Sequence, residues 1–321
     1  MKKILKTKKF ITLCILIVLL TIGSIWQLIM VRHELKNSSP PGTFVDVGTY
    51  KAHCYTKGEG EIAFVFITGS GTPLAYSDFY LLQDELSHFG QTISFDHAGS
   101  GWSTPTTSVR TIDNLNQELS AVIDALAPGK PIVLLCHSLG SLEAIHYAQV
   151  FPEKVKGIVF FDSGSPELYS KYSEFGAFML NRSLGAIRTI GLNRILGESG
   201  LLLPMYGENL RNHQLPREVK KLDKLMYYKL VGNPSSLNTI KHINENAKTV
   251  LAGDKLRNTP ILVLSSDNGS KWNDDQLKLA AWSTNNKQVK IKGGEHYIYW
   301  SNVKEVLSCI KEYIEEKILG K

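Results

Sequence analysis

The sequence predicts an α/β protein with a mainly parallel sheet and helices on both faces. Short apolar strand patterns alternate with helical patterns along most of the 321 residues, and this alternation is typical of a parallel sheet. Two strand patterns, at residues 62–68 and 131–135, are continuous apolar runs, as expected of strands covered on both faces. The third observation is a serine, Ser138, that lies between small residues directly after the second run and before a helical pattern.

The N-terminus predicts a membrane anchor. Residues 10–31 carry no charge and follow five lysines within residues 1–9. A helix of this length covers ~33 Å, which is enough for a bilayer core. We therefore expect a cytoplasmic basic segment at 1–9, a single transmembrane helix at 10–31 and a linker at 32–42. The positive-inside rule then places the remainder outside the cell membrane.

A cleaved signal peptide is the alternative interpretation of this segment. Its apolar region would cover about 7–15 residues and end in small residues, whereas residues 25–30 read Ile-Trp-Gln-Leu-Ile-Met. We therefore favour an uncleaved anchor.

Charge and cysteine content exclude some classes of function. The formal charge is +6, but the five N-terminal lysines account for most of it, so the remainder gives no reason to expect a nucleic-acid partner. The four cysteines have no spacing that suggests a metal site or a disulfide framework.

The remaining elements follow in order along the chain. The predicted strands cover residues 43–47, 50–56, 62–68, 91–95, 131–135, 155–161, 260–264 and 288–291. Helical patterns cover residues 76–89, 112–126, 274–282 and 303–318. The strand–helix rhythm is interrupted at residues 163–259, where helical patches such as 175–190 and 219–230 occur with loops.

Four loop motifs, in order, resemble those of the α/β-hydrolase family. They are Thr-Gly-Ser-Gly at 68–71, Asp-His-Ala-Gly-Ser-Gly-Trp-Ser at 96–103, Cys-His-Ser-Leu-Gly at 136–140 and Gly-Gly-Glu-His-Tyr at 293–297. The third is similar to the nucleophile elbow, with Cys136 where glycine is usual. The first departs from the family in having Thr68 where histidine is usual. The second implies a structural turn beside the elbow, and His97 within it is not our candidate base.

The resemblance implies an eight-stranded, mostly parallel sheet. The hydrolase core would comprise residues 43–162 and 260–321, and residues 163–259 would form a helical cap inserted after strand 6. Apolar residues of this cap are candidates to line an acyl pocket, or to pack the cap on the core: Phe175, Phe178, Met179, Leu201, Leu202, Leu203, Met205 and Tyr206.

The resemblance also assigns the catalytic roles. Ser138 would be the nucleophile and His296 the base that takes its proton, in the family's order of serine, acid and histidine. The backbone N–H groups of Ser70 and Leu139 would form the oxyanion hole. His137 adjoins the serine, but its side chain should point away.

Two carboxylates compete for the acid. Asp267 follows the strand at 260–264 and precedes His296 by 29 residues, close to the family spacing, and we favour it. Asp162 ends the preceding strand, where haloalkane dehalogenases carry their acid. Asp274 and Asp275 remain as further candidates.

The predicted function is that of a membrane-anchored serine hydrolase of the carboxylic-ester or lipase-like type. It would act on a small-molecule or lipid ester and require no metal or organic cofactor. One alternative is a peptidase of the proline-iminopeptidase type, although Leu139 stands where that group usually has tryptophan. Another is a membrane-tethered binding protein without activity. Dehalogenase chemistry is disfavoured because that branch uses aspartate in place of Ser138.

Overall fold

The computed structural model describes residues 2–201, 211 and 213–320. Its strands are β1 (Thr43–Asp46), β2 (Lys51–Lys57), β3 (Ala63–Ile67), β4 (Gln91–Phe95), β5 (Ile132–His137), β6 (Val155–Phe161), β7 (Ile261–Ser265) and β8 (Asn286–Lys290). They form one sheet in the order β1-β2-β4-β3-β5-β6-β7-β8. β2 is antiparallel to both β1 and β4, and every other neighbouring pair is parallel. The predicted mostly parallel, eight-stranded α/β fold is confirmed.

The sheet is covered by helices that lie before and after the region of residues 163–259. They are α2 (Ala75–Asp78), α3 (Tyr80–Leu86), α4 (Ile112–Leu126) and α5 (Gly140–Val150), followed after β7 by α12 (Ser270–Ala280), α13 (Ile298–Ser301) and α14 (Val303–Tyr313). The N-terminal helix α1 (Lys2–Lys36) instead contacts residues of the region 163–259. The helix predicted at residues 76–89 is divided into α2 and α3. The last predicted helix ends in a π-helical turn at Ile314–Ile318.

Helices on both faces explain the continuous apolar strands. In β5, Ile132, Leu134 and Cys136 belong to one buried cluster, whereas Val133 and Leu135 belong to the cluster on the other face. Successive side chains of a strand point to opposite faces, so every residue of β5 is buried. Because β5, β6 and β7 are parallel, the loops that follow them open at one edge of the sheet.

The region between β6 and β7 is helical in the part that the structure describes. We call residues 163–259 the insertion. Its helices are α6 (Pro166–Tyr169), α7 (Glu174–Thr189), α8 (Leu192–Glu198), α9 (Arg217–Leu230), α10 (Pro234–Lys241) and α11 (Ile243–Ala252). Four of the predicted pocket residues, Leu202, Leu203, Met205 and Tyr206, lie outside the described residues.

The N-terminal helix is longer than the predicted transmembrane segment. α1 continues to Lys36, so the first part of the predicted linker at 32–42 is helical. The reason is that the first prolines, Pro40 and Pro41, come later, and no residue before them breaks the helix. An 18-residue window within Lys6–Lys36 has a mean hydropathy of 2.5, and the helix is long and apolar enough to cross a membrane. Membrane anchors and N-terminal signal sequences share this property.

Candidate active site

Ser138 lies at a sharp turn between β5 and α5. Its φ is 51°, in the left-handed region that non-glycine residues rarely occupy and that tends to occur at functional sites. The turn requires a glycine at 140, because a Cβ there would lie 3.0 Å from the carbonyl oxygens of both Ile67 and Thr68. The small residue that the motif places after Ser138 therefore permits close packing of α5 against the end of β3.

His296 contacts both Ser138 and a carboxylate. Its Nε2 lies 3.2 Å from Ser138 Oγ, and its Nδ1 lies 2.7 Å from Asp162 Oδ2. The His296 side chain is 44% exposed, whereas that of Asp162 is 1% exposed. One edge of the imidazole is thus open to a substrate, while the carboxylate behind it is shielded from water.

The structure differs from the sequence analysis in the carboxylate that contacts His296. Asp267, which we favoured, is exposed and pairs with Lys290 at 3.1 Å. Asp267 lies beyond the end of β7, and its side chain is outside the group formed by Ser138, His296 and Asp162. Asp162 directly follows β6 and has a φ of 43°. Asp275 is bound instead by the backbone N–H and side chain of Ser165.

Hydrogen bonds to the other oxygen fix the Asp162 carboxylate. Asp162 Oδ1 accepts from the Ser266 N–H at 2.7 Å and from Trp272 Nε1 at 2.7 Å. Such bonds offset the cost of burying a charge. Trp272 was absent from our sequence-based candidates, because it precedes the helix predicted at 274–282 and belongs to no motif.

His137 contacts both the backbone and the ring of His296. Its Nε2 donates to the His296 carbonyl oxygen at 3.1 Å, and the two ring centroids are 4.6 Å apart. Its Nδ1 is buried and has no hydrogen-bond partner among the described residues. Burial lowers the pKa of His137 well below its usual value, and the neighbouring His296 lowers it further. The ring is therefore neutral, with its proton on Nε2.

Ser70 and Leu139 line the same cavity beside the elbow. Neither backbone N–H donates a hydrogen bond to the part of the chain that the structure describes. The loop at 68–71 passes very close to the elbow, because a Cβ on Gly69 would lie 3.0 Å from Ser138 Cβ. Both N–H groups are consequently available beside the serine.

Side chains of the motif at 96–103 form hydrogen bonds with the neighbouring loops. Asp96 is buried and accepts hydrogen bonds from the N–H of Ala75, the N–H of Trp102 and Nδ1 of His53. His97 contacts Glu143 through Nε2 at 2.8 Å and Thr68 Oγ1 through Nδ1 at 3.2 Å. His97 is thus engaged away from Ser138.

The cavity lies between the core loops and the insertion. It has a volume of about 70 Å³ and is lined on the insertion side by Ser236, Thr239, Ile243 and Asn246. Of the pocket residues we predicted, Phe175, Met179 and Leu201 are exposed, and Phe178 packs against the core. They do not line this cavity.

Tyr169, on α6, is a further residue that sequence reasoning missed. Its buried phenol lies against Gly164 and close to Ser138, and burial raises the pKa of this phenol. No motif distinguishes this tyrosine from others in the sequence.

Comparisons with known proteins identify the family of the fold. A family model described as alpha/beta hydrolase fold matches residues 62–303. The Bacillus subtilis (strain 168) protein YbdG is 25% identical over 327 residues, covering 98% of this chain and 99% of YbdG.

Solved structures of hydrolases superpose on most of the chain. A thermophilic esterase from Thermogutta terrifontis has a TM-score of 0.64 and 19% identity, and the match covers 85% of this chain and 98% of the esterase. A point mutant of an epoxide hydrolase from Bacillus megaterium has a TM-score of 0.67 and 17% identity, with 85% and 100% covered. At these identities the likeness concerns the fold.

Proposed function

Because this chain belongs to the α/β-hydrolase fold family, we propose that it is a serine hydrolase that cleaves an ester by acyl transfer to water. The observation that carries the proposal is the position of His296 between two partners. Its Nε2 lies 3.2 Å from Ser138 Oγ and its Nδ1 lies 2.7 Å from Asp162 Oδ2. A nucleophile, a base and an orienting carboxylate in contact are the requirement for serine activation.

Each group has a role in the proposed reaction. Ser138 Oγ attacks the ester carbonyl carbon while His296 Nε2 takes its proton. Asp162 holds the imidazole and stabilises the charge that develops on it. His296 then gives the proton to the leaving alcohol, and an acyl group remains on Ser138. Water, activated by His296, attacks this acyl-enzyme and releases the acid.

The oxyanion of both tetrahedral intermediates would accept hydrogen bonds from Ser70 and Leu139. Their backbone N–H groups are without partners in the described part of the chain and border the cavity. Removal of one such donor in other enzymes costs about 2.7–4 kcal/mol of transition-state stabilisation.

We further propose that the insertion, residues 163–259, acts as a cap on a core formed by residues 43–162 and 260–321. Both parts line the cavity beside the elbow, so an ester bound there would lie between them. Residues 10–31 would anchor the enzyme in the cell membrane, with residues 1–9 in the cytoplasm and the cap and core outside.

The serine favours an ester over an epoxide as substrate, although epoxide hydrolases occur among the structural relatives. If Ser138 opened an epoxide, it would form an alkyl ether, which has no carbonyl carbon for water to attack. The enzyme could not complete a turnover. With an ester, Ser138 forms an acyl-enzyme that water can hydrolyse.

Turnover of matched substrates tests this proposal. We expect the wild-type protein to hydrolyse p-nitrophenyl esters in a series from acetate to palmitate, and Ser138→Ala to reduce the rate to background. Proline p-nitroanilide, assayed in parallel, identifies a peptidase. If the wild type hydrolyses only the anilide, or neither substrate class, the ester hydrolase proposal is wrong.

A further inference from the structure

The C-terminal half of α1 is packed against the insertion. A Cβ on Gly23 would lie 2.5 Å from the Ile190 carbonyl oxygen, and a Cβ on Gly191 would lie 2.9 Å from the Trp26 ring. Such short separations mean that the Gly23 backbone meets the Ile190 backbone and that the Gly191 backbone lies against the Trp26 ring. The segment predicted as an anchor is therefore part of the packing of the insertion from Gly23 onward.

A polar network joins the same two parts. Arg194 on α8 is 5% exposed, and its two terminal nitrogens contact the Glu34 carboxylate at 2.5 and 2.8 Å. Its Nε donates to Gln27 Oε1 at 3.1 Å, and Gln27 Nε2 donates to the Tyr228 carbonyl oxygen at 2.7 Å. The guanidinium also lies 4.6 Å from the Tyr228 ring centroid. These contacts offset the cost of burying the Arg194 cation in the folded protein.

The part of α1 that precedes its contact with the insertion, which we call the free part of α1, determines how deeply the helix and the insertion lie in a bilayer. The apolar residues 10–22 precede the contact at Gly23, and a helix of that length covers only about 20 Å. A bilayer core is ~30 Å thick and requires about 20 helical residues. Residues up to about Ile29 must then lie within the core. The surface of the insertion that contacts Gly23 and Trp26 must lie at the same depth.

The composition of that surface suits an apolar medium. We call residues 186–195, where α7 ends and α8 begins, the α7–α8 corner. Ile195 is 55% exposed, and Ile187, Ile190 and Leu192 are half-buried.

Most polar side chains of the corner make hydrogen bonds within the protein. Asn193 Nδ2 donates to the Leu184 carbonyl oxygen at 2.8 Å, whereas its buried Oδ1 has no partner among the described residues. Arg188 donates through one terminal nitrogen to the Lys229 carbonyl oxygen. Thr189 donates to the Gly185 carbonyl oxygen at 3.0 Å. Internal pairing is the condition for placing such groups in lipid.

We propose that the α7–α8 corner is immersed in the outer leaflet of the bilayer that α1 crosses, so that the partner of this surface is lipid. The insertion is then a membrane-bound element, and α7, whose C-terminal end enters the bilayer, also lines a cavity next to the one beside the elbow. Asn181 on α7 lines a small cavity together with Gly71 and Ser100, which also line the cavity beside the elbow. This inference rests on the proposed anchor and does not depend on the proposed chemistry.

Depth-dependent fluorescence quenching tests the proposal on the full-length protein. In a background with Cys14→Ser and Cys309→Ser, the remaining Cys54 and Cys136 are fully buried. Single probe sites are made by Ile195→Cys and, on the free part of α1, Ile17→Cys. The control is Leu277→Cys on α12, because Leu277 is 59% exposed. Each is labelled with a nitrobenzoxadiazole and reconstituted in phosphatidylcholine–phosphatidylglycerol vesicles with or without doxyl-labelled phosphatidylcholine.

The expected result is quenching several-fold greater at Ile17→Cys and Ile195→Cys than at Leu277→Cys. If the Ile195→Cys probe is quenched no more than the Leu277→Cys probe while Ile17→Cys is quenched, the corner lies outside the bilayer and the proposal is wrong. If Ile17→Cys is not quenched either, the anchor and this proposal fail together. Ester turnover by the same proteins reports separately on the proposed chemistry.

Discussion

Asp162 contacts His296 directly, with 2.7 Å between Oδ2 and Nδ1. Asp162 is fully buried and is held from the other side by the Ser266 N–H and Trp272 Nε1. A carboxylate fixed in this way can orient the imidazole and stabilise its charged form. The first experiment should therefore establish whether Asp162 or Asp267 acts as the acid.

We expect Asp162→Asn to lower kcat/KM for an ester by about 10³–10⁴-fold, because the imidazole loses its carboxylate and can adopt the wrong tautomer. Asp267→Asn is the control, since Asp267 forms an exposed pair with Lys290, and the kcat/KM of this variant should change less than about threefold. A larger loss in Asp267→Asn than in Asp162→Asn would assign the acid to Asp267 instead.

Trp272→Phe removes one of the hydrogen bonds to Asp162 Oδ1 while it keeps an aromatic ring. Because a hydrogen bond to a charged group contributes about 1.5–3 kcal/mol, we expect kcat to fall by about 10-fold or more. Steady-state ester kinetics measure this change.

The matched control for Trp272→Phe is Trp282→Phe, because the Trp282 indole N–H donates to Glu167 Oε2 at 3.2 Å and makes no hydrogen bond to Asp162 in the described part of the chain. Its kcat should remain within about threefold of the wild type if its role is packing alone. Equal losses of kcat in both variants would show that Trp272 also acts only through packing.

The contrast between Ser138 and Asp162 shows how far sequence reasoning extends. Ser138 could be predicted because strand, small residues and helix are adjacent in sequence, and the same holds for the apolar runs of the parallel sheet. Asp162 and Asp267 follow neighbouring parallel strands, so both could reach the same edge. The choice between them depends on the positive φ of Asp162 and on the Ser266 N–H, neither of which has a sequence signal.

Contacts between distant segments account for the rest of what could not be predicted. Arg194 meets Gln27 and Glu34 across more than 150 positions in sequence, and no local pattern encodes such a pairing. The choice between lining a pocket and packing on the core could not be predicted for the same reason, because the side of α7 that faces the core is decided by packing. Phe175 and Phe178 both fit a helical stripe, but only Phe178 packs inward.

His137 makes stability depend on pH. Its pKa is lowered in the folded state by burial and by His296, so the unfolded chain binds a proton more readily. Its contribution to stability is full above the unfolded value near 6.5 and is lost as pH falls below it, by up to about 1.4 kcal/mol per pH unit. We expect wild type to lose more stability than His137→Gln between pH 7.5 and pH 5.5, as measured by urea unfolding in detergent.

The comparison with His137→Gln cancels the other histidines, which are present in both proteins. A stability difference between the two proteins that stays constant from pH 7.5 to pH 5.5 would contradict a neutral, buried His137. A difference that grows in favour of the wild type at low pH would reverse the sign of the pKa shift.

The network between α1 and α8 should contribute to the stability of the folded chain. Glu34→Gln leaves the guanidinium of Arg194 buried without its carboxylate. We expect the free energy of unfolding to fall by about 1–3 kcal/mol, less than for a fully buried pair because Glu34 is partly exposed. Denaturant unfolding in detergent measures this loss.

The control for Glu34→Gln is Glu218→Gln, because Glu218 pairs with Lys221 on the surface of α9. Loss of this pair should lower the free energy of unfolding by no more than about 1 kcal/mol. The double variant Glu34→Gln with Arg194→Gln should regain part of the stability by removing the unpaired cation. Equal effects of Glu34→Gln and Glu218→Gln would mean that α1 does not stabilise the insertion.

The most direct test of the central claim is covalent labelling of Ser138. We expect a fluorophosphonate probe to label the wild-type protein, with the adduct mapped by mass spectrometry to Ser138, and Ser138→Ala to remain unlabelled. His296→Ala should also lose labelling, because Ser138 then lacks its base. Absence of wild-type labelling under conditions that label a control serine hydrolase, or an adduct on another residue, would contradict the account.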